Sequence, residues 1–341
     1  MKDARRKDLE KVIAEINKKY GEGTVAEGCS VSLDIPRIRS GITAIDLCIG
    51  GGIPRGAIIE FYGRESGGKT TTALLTVAAY QRQGLTCAYI DLEHSFDEGW
   101  AGTLGVDMKT LIISQPDTLE KSVDVIDSLV RSGAVDLVVY DSIAAAVPSA
   151  EMEKSAFDMQ MALQARLFAK MCRKLQAALQ PDDISDCSTF NKTTIIFINQ
   201  VREKIGTYAR GYETPGGHAL KHAYKVRIQL TTTDRLKNKE TGDCAGIEVT
   251  FRVVKNKTWI PYKTGTYKLY FNGEVDNDDT IITEAKKHKI VIQRGPMYDY
   301  GDITSKGIEK FIQDLKEKKL FDKITSEVYD ILLKKGKEDG K

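Results

Sequence analysis

Between the apolar run Ile58 to Tyr62 and a helical pattern opening at Thr70 lies the octet Gly63-Arg64-Glu65-Ser66-Gly67-Gly68-Lys69-Thr70. No other feature constrains the fold as strongly. The octet fits G-x-x-x-x-G-K-[ST], and the flanking strand and helix are the context that pattern requires. Its glycines let the backbone curl so that successive N–H groups point inward, and the following helix N-terminus adds a favourable dipole for an anion. Lys69 is placed to neutralise the β- and γ-phosphates of a nucleotide, and Thr70 to offer its hydroxyl to Mg2+. ATP and Mg2+ are therefore the expected ligand and ion. The competing reading is a glycine-rich turn without a ligand, which is also the reading given to Gly50-Gly51-Gly52.

Short apolar runs at Ile58–Tyr62, Cys87–Ile90, Leu111–Ser114, Leu137–Tyr140 and Thr194–Ile198 alternate with helical patterns such as Thr70–Gln83 and Leu119–Ser132. Near-continuous hydrophobic strands joined by helices predict a parallel sheet covered on both faces. From Lys225 the texture changes to longer alternating strands, Val226–Thr232, Ile247–Val254 and Tyr267–Phe271, expected as antiparallel additions to one edge. After Asn272 a loop rich in Asp and Asn leads to a lysine-rich module with helical spacing at Ile308–Leu315 and Val328–Leu333. Its segment 301–341 carries ten lysines against nine acidic residues, a solvated lobe rather than a charged tail. Ahead of the sheet, Leu9, Val12, Ile13, Ile16 and Tyr20 recur at helical spacing until Gly21-Glu22-Gly23 ends the pattern. That helix either packs on its own core or docks on a neighbouring subunit. The expected class is α/β: a phosphate-loop NTPase core with a mixed, mainly parallel sheet flanked by helices, an N-terminal helical arm and a small C-terminal α/β lobe. The division follows as 1–34, 35–272 and 273–341.

Other candidate residues fall at strand ends. Four apolar residues precede Asp141, placing its carboxylate at the C-terminal edge of a buried strand, where it can hold Mg2+ through water. The strand Cys87–Ile90 runs into Asp91-Leu92-Glu93-His94. Glu93 is the candidate for activating an attacking water, with Asp91 and His94 stabilising the loop. Thr194–Ile198 ends in Asn199-Gln200, and Gln200 is a candidate γ-phosphate sensor, against the commoner fate of a buried, backbone-satisfied amide. The following segment has Arg202, Lys204 and Arg210, two tyrosines and glycines at 206, 211, 216 and 217. Over 201–227 there are six basic residues against two acidic. A basic, glycine-punctuated loop beside a nucleotide site fits contact with a nucleic-acid backbone; a merely solvated loop is the default it competes with.

Composition narrows the rest. A net charge of +2 from 50 basic and 48 acidic residues makes no general argument for nucleic acid, so that case rests on local charge. The six cysteines lie far apart without a Cys-x-x-Cys pair, which predicts free, mostly buried thiols in a reducing, cytoplasmic setting. The charged start Met1–Leu9 and the lack of a ~20-residue apolar run argue against export or membrane insertion.

Taken together these motifs resemble the RecA recombinase family. The likeness runs from about Ile16 to about Tyr300 and is specific at Lys18-Lys19-Tyr20-Gly21-Glu22-Gly23, Ala88-Tyr89-Ile90-Asp91-Leu92-Glu93-His94, Ser114-Gln115-Pro116-Asp117-Thr118, Ile198-Asn199-Gln200, Gly216-Gly217-His218-Ala219-Leu220-Lys221 and Val253-Val254-Lys255-Asn256-Lys257. The resemblance implies that Glu93 activates water and that Gln200 couples the γ-phosphate to the DNA loop. It extends nucleotide contact to Thr71, Asp97, Trp100 and Tyr270, with Trp100 where a tyrosine is usual. Lys255 and Lys257 look like the pair that reaches ATP held by the adjacent subunit. The implied DNA contacts are Met161, Arg166 and Arg173 in and after the first loop, and Arg202, Lys204, Ile205, Gly206, Arg210, Thr214, Gly216, Gly217 and His218 in the second. The implied partners are single-stranded DNA, a homologous duplex and further copies in a helical filament docked through the N-terminal arm, with strand exchange and DNA-stimulated hydrolysis as the activity.

The sequence departs from the family in four places. The second loop is one residue short near Thr214-Pro215, Ala162 replaces a glycine, His222 stands at an aromatic subunit-contact position, and an acidic C-terminal tail is absent. A ring helicase, a non-catalytic recombination mediator and a small-molecule kinase share parts of the pattern. The source, a bacterium or a virus of bacteria, is left open.

Overall fold

The computed structural model describes residues 2–26, 35–152, 161–180, 191–203, 212–238 and 241–339. Its centre is an eight-stranded sheet in the order Thr264–Tyr270, Cys244–Asn256, Val226–Lys237, Ile58–Gly63, Thr194–Gln200, Leu137–Asp141, Cys87–Asp91, Ile112–Ser114. All pairs from Val226–Lys237 to Ile112–Ser114 are parallel, and the two outermost pairs at the other edge are antiparallel. This is the mixed, mainly parallel, helix-flanked sheet expected.

The strands read as continuous apolar runs because each face meets a different core. Ile59, Phe61, Leu137, Val139, Ile196 and Ile198 join the cluster under helices Thr43–Ile49 and Lys69–Gln81. Their alternates Ile58, Val138, Tyr140, Ile195 and Phe197 join the cluster under helices Leu119–Ser132, Met161–Ala178 and Gly217–Ala223. Period-two alternation with both faces buried leaves few polar positions, and the exceptions Glu60, Thr194 and Asn199 are themselves buried.

One expectation needs correction. Val226–Lys237 is not a purely antiparallel edge addition: Val226 to Gln229 pair parallel with Ile59 to Tyr62, while the strand's other side pairs antiparallel with Cys244–Asn256. A parallel neighbour has to be reached by a crossover, and here the crossover carries the second loop and helix Gly217–Ala223. The Gly50-Gly51-Gly52 run is a turn, with φ of +99°, +99° and +144°.

The C-terminal lobe holds its own core of Tyr298, Phe311, Leu315, Ile324 and Val328, joined by Leu47. It adds a three-stranded antiparallel sheet, Ile292–Arg294, Met297–Tyr300 and Ile303–Lys306, to helices Asn277–Lys287, Ile308–Glu317 and Phe321–Asp339. The N-terminal helix spans Lys2–Tyr20, with Leu9, Val12 and Tyr20 exposed. Of the described cysteines, Cys87 and Cys172 are buried, Cys48 half-buried and Cys244 exposed, so burial is less general than expected. No helix among the described residues is long and apolar enough to cross a membrane.

Candidate nucleotide and nucleic-acid site

The phosphate loop links Ile58–Gly63 to Lys69–Gln81 with little room to spare. A Cβ on Gly63 would lie 2.1 Å from the Leu230 carbonyl oxygen, so only glycine lets the loop leave the sheet beside Val226–Lys237. Gly68 caps the helix at φ +82°, in the left-handed region that glycine adopts without strain. Lys69 Nζ donates to the Arg64 carbonyl at 2.7 Å, closing the loop on itself. Burial holds the Lys69 ammonium below its ordinary pKa, against the pull of Asp141, Glu93 and Glu65. Arg64, Glu65, Ser66 and Thr70 are exposed along the loop.

Thr70 Oγ1 donates to Asp141 Oδ2 at 2.9 Å, and the Tyr89 hydroxyl donates to the same oxygen at 2.6 Å. Burial raises Asp141 to about 6; the Tyr89 and Thr70 hydrogen bonds oppose the rise, while Glu93 and Asp91 reinforce it. One carboxylate, one hydroxyl and neighbouring negative charge form a hard oxygen set suited to Mg2+. Among the described residues no group of three or more His, Cys, Asp or Glu makes a metal cage. Mg2+ is commonly bound by one or two carboxylates together with nucleotide phosphates and water, so Thr70 and Asp141 fit it.

Glu93 sits at the centre of a polar cluster. Its Oε1 accepts from Ser142 Oγ at 2.5 Å and from Gln200 Nε2 at 3.1 Å. Asp91 is committed elsewhere, accepting from the Glu93 and Phe96 backbones and from Gln115 Nε2, so it shapes the turn that carries Glu93. Ser142, Tyr89 and Gln115 lie in stretches that carry the family likeness, but sequence alone assigns them no part in the site; their hydrogen bonds to Glu93, Asp141 and Asp91 do.

The residues that the family resemblance places beside adenine are partly gathered. Trp100 Nε1 donates to Thr71 Oγ1 at 3.3 Å, and Asp97 caps the Trp100 backbone at 2.9 Å. Tyr267, not Tyr270, meets the helix start, its hydroxyl 2.8 Å from Thr72 Oγ1. Tyr270, an odd number of positions along the strand, faces the other way.

Lys255 Nζ donates to the carbonyls of Lys221 at 2.6 Å and His222 at 3.4 Å, at the end of helix Gly217–Ala223. Burial, Lys257 and Arg227 lower its pKa to about 8. Val249 of the same strand packs beside Gly68, while Lys255, six residues on, lies opposite Arg227 and so level with Glu60, three residues before the loop begins at Gly63.

On helix Met161–Ala178, Arg166 and Arg173 are exposed and seven residues apart, hence on one face. Lys170, also exposed, stands between them on that face; its spacing of four and three made it legible, though it was not singled out. Arg202 and His218 are exposed. Thr214 is buried, and Arg227 Nη2 lies 3.4 Å from its hydroxyl. Gly216 and Gly217 open helix Gly217–Ala223 at φ +94° and +81°. Lys204, Ile205, Gly206 and Arg210 lie outside the described residues, as does the Met161 side chain. Beneath the loop, buried Glu60 pairs with Arg227 Nε at 2.5 Å, and Asn199 Nδ2 donates both to Glu60 at 3.0 Å and to the Pro215 carbonyl at 3.1 Å.

A glycine-rich loop at a helix N-terminus, with a threonine–aspartate pair at the sheet edge, defines the fold and site class of phosphate-loop nucleotide-binding proteins. Within that class, a model of the RecA N-terminal domain matches residues 7–276. The chain is 38% identical to Protein RecA of Thermus thermophilus over the whole of both chains. It is 40% identical to Protein RecA of Francisella tularensis subsp. novicida, covering 92% of this chain and 86% of that one. To Protein RecA of Chlamydia caviae it is 38% identical, covering 96% and 92%. The chain belongs to the RecA family. Membership supports recombinase and ATPase function of the family type.

Proposed function

We propose that this chain is a DNA recombinase that assembles with ATP into a helical filament on single-stranded DNA, pairs that strand with a homologous duplex and exchanges strands. Its arm is residues 1–34, its ATPase core 35–272 and its small lobe 273–341, and it acts in the cytoplasm, where its DNA is. The observation that carries the reading is the hydrogen bond from Gln200 to Glu93, which joins the hydrolytic carboxylate to the residue from which the basic loop departs.

Gly63 to Thr71 hold the phosphates through backbone N–H groups and the helix N-terminus. Lys69 leaves the Arg64 carbonyl to meet the β- and γ-phosphates, while Trp100 and Asp97 flank the base. Thr70 and Asp141 would hold Mg2+, which when bound would supply charge neutralisation to the phosphates. Glu93 orients the attacking water and takes its proton as the oxygen bonds to the γ-phosphorus and the β–γ bridging bond breaks, giving ADP and phosphate. Gln200 reports the γ-phosphate to the loop. Arg166, Arg173, Arg202, Lys204 and Arg210 hold the DNA backbone, and Lys255 and Lys257 reach into the next subunit's site.

The decisive experiment is ATP hydrolysis with and without single-stranded DNA at two salt concentrations. Strong, salt-sensitive stimulation is expected, because phosphate contacts release counterions. Hydrolysis indifferent to DNA defeats the reading.

A further inference from the structure

The second loop leaves the sheet after Gln200, and its described stems pair antiparallel, Arg202 with Glu213 and Glu203 with Tyr212. Three contacts fix the returning stem to the sheet and its helix: Glu213 to Lys221 at 2.7 Å, Thr214 to Arg227 at 3.4 Å, and the Pro215 carbonyl to Asn199 at 3.1 Å. Tyr212 is held from another direction. The Arg64 guanidinium stands over its ring, 4.7 Å from the centroid, and Arg64 Nη2 donates to its hydroxyl. Arg64 is the second residue of the phosphate loop, and its own carbonyl is the acceptor for Lys69 Nζ. One residue therefore touches the phosphate-binding lysine with its backbone and the stem of the basic loop with its side chain.

We infer that Arg64 and Tyr212 form a second link between the nucleotide site and the DNA loop, parallel to the Glu93–Gln200 contact, with Tyr212 as a positioning residue. The inference rests on the functional reading above. When Lys69 turns from the Arg64 carbonyl to a phosphate, that carbonyl keeps only the longer hydrogen bond from the Gly67 N–H at 3.3 Å, and a guanidinium stacked on Tyr212 carries the loosening of the peptide to the stem. Linkage is reciprocal: a stem fixed by single-stranded DNA biases Arg64, and so the loop, toward the nucleotide-bound arrangement. Both side chains are exposed, Tyr212 by 48%, so the link has the strength of a solvent-exposed cation–π contact, worth about two- to fivefold in an equilibrium constant.

The test is the affinity of the full-length protein for a fluorescent, non-hydrolysable ATP analogue, measured without DNA and with saturating oligo-dT. The readout is the ratio of the two affinities, which a general loss of binding leaves unmoved. Wild type should bind more tightly with DNA. Tyr212→Ala should shrink that ratio about two- to fivefold, Tyr212→Phe should fall between it and wild type, and Arg64→Ala with Tyr212→Ala should lose no more than either single change. A Tyr212→Ala ratio equal to wild type, or losses that add in the double variant, overturns the link while leaving the recombinase reading intact. A wild-type ratio of one overturns both.

Discussion

Glu93 accepts two hydrogen bonds at a single oxygen, Oε1, from Ser142 and Gln200. A carboxylate engaged in this way works as a base through its other oxygen, and its aim depends on Gln200. Glu93→Gln keeps the shape and removes the base, so it should bind ATP and DNA like wild type and hydrolyse ATP on DNA at least ~100-fold more slowly. Steady-state phosphate release checks this, and an unimpaired rate would remove Glu93 from its role. A second residue-scale prediction concerns Asp46, buried with both carboxylate oxygens receiving the Ser40 backbone N–H. Burial raises it to about 7, against the Ser40 hydrogen bonds and the charge of Arg39. A carboxyl raised on folding keeps its proton where the unfolded chain has lost it. Its stabilising contribution is therefore full below about pH 4 and is lost as pH rises to about 7, by up to about 4 kcal/mol. Asp141, at about 6, adds the same sign over a narrower window. Urea midpoints at pH 5 and pH 8 should differ less in Asp46→Asn than in wild type. Lys69, Thr70 and Asp141 were legible because each is defined by neighbours in sequence. Ser142 and Tyr89 stand in recognisable stretches with no role readable from their neighbours, and Tyr267 reaches the loop only through strand register.

At the scale of elements, the phosphate loop depends on a close approach of two parallel strands. Gly63 lies against the Leu230 carbonyl, a backbone atom that cannot swing aside as a side-chain tip would. Gly63→Ala should therefore spread Ile58–Gly63 from Val226–Lys237 and cost about 1–3 kcal/mol, read as a lower urea midpoint with nucleotide absent. Gly84→Ala is the control for space alone, since a Cβ there meets nothing within 4 Å, though its φ of +74° adds backbone strain. The parallel sheet was readable because its strands are buried on both faces. The parallel half of Val226–Lys237 was not, since its pattern of alternating burial is the same whether its neighbour runs with it or against it. The C-terminal lobe reads as α/β from sequence, but its individual strands do not, because strands of three or four residues carry too few alternations to stand out.

At the scale of the whole molecule, two features among the described residues suit a neighbouring chain. The N-terminal helix exposes Leu9, Val12 and Tyr20, and Lys255, level with Glu60 and not with the loop end of that strand, rests on the carbonyls of Lys221 and His222. A head-to-tail assembly satisfies both if the helix docks on one neighbour and the lysine enters the site of another. That geometry predicts complementation between defective chains. Lys255→Ala should hydrolyse ATP poorly on DNA although its own site is intact, and Glu93→Gln should be inactive although it still carries the lysine. In an equimolar mixture, an intact site from the first variant meets an intact lysine from the second at about a quarter of head-to-tail interfaces formed at random. Activity should therefore reappear at roughly that fraction of wild type per site, well above the sum of the two variants assayed separately. If the mixture is only additive while both variants still co-assemble on DNA, Lys255 serves its own chain and the shared site is wrong. If Lys255→Ala alone hydrolyses ATP normally on DNA, the lysine has no part in the chemistry.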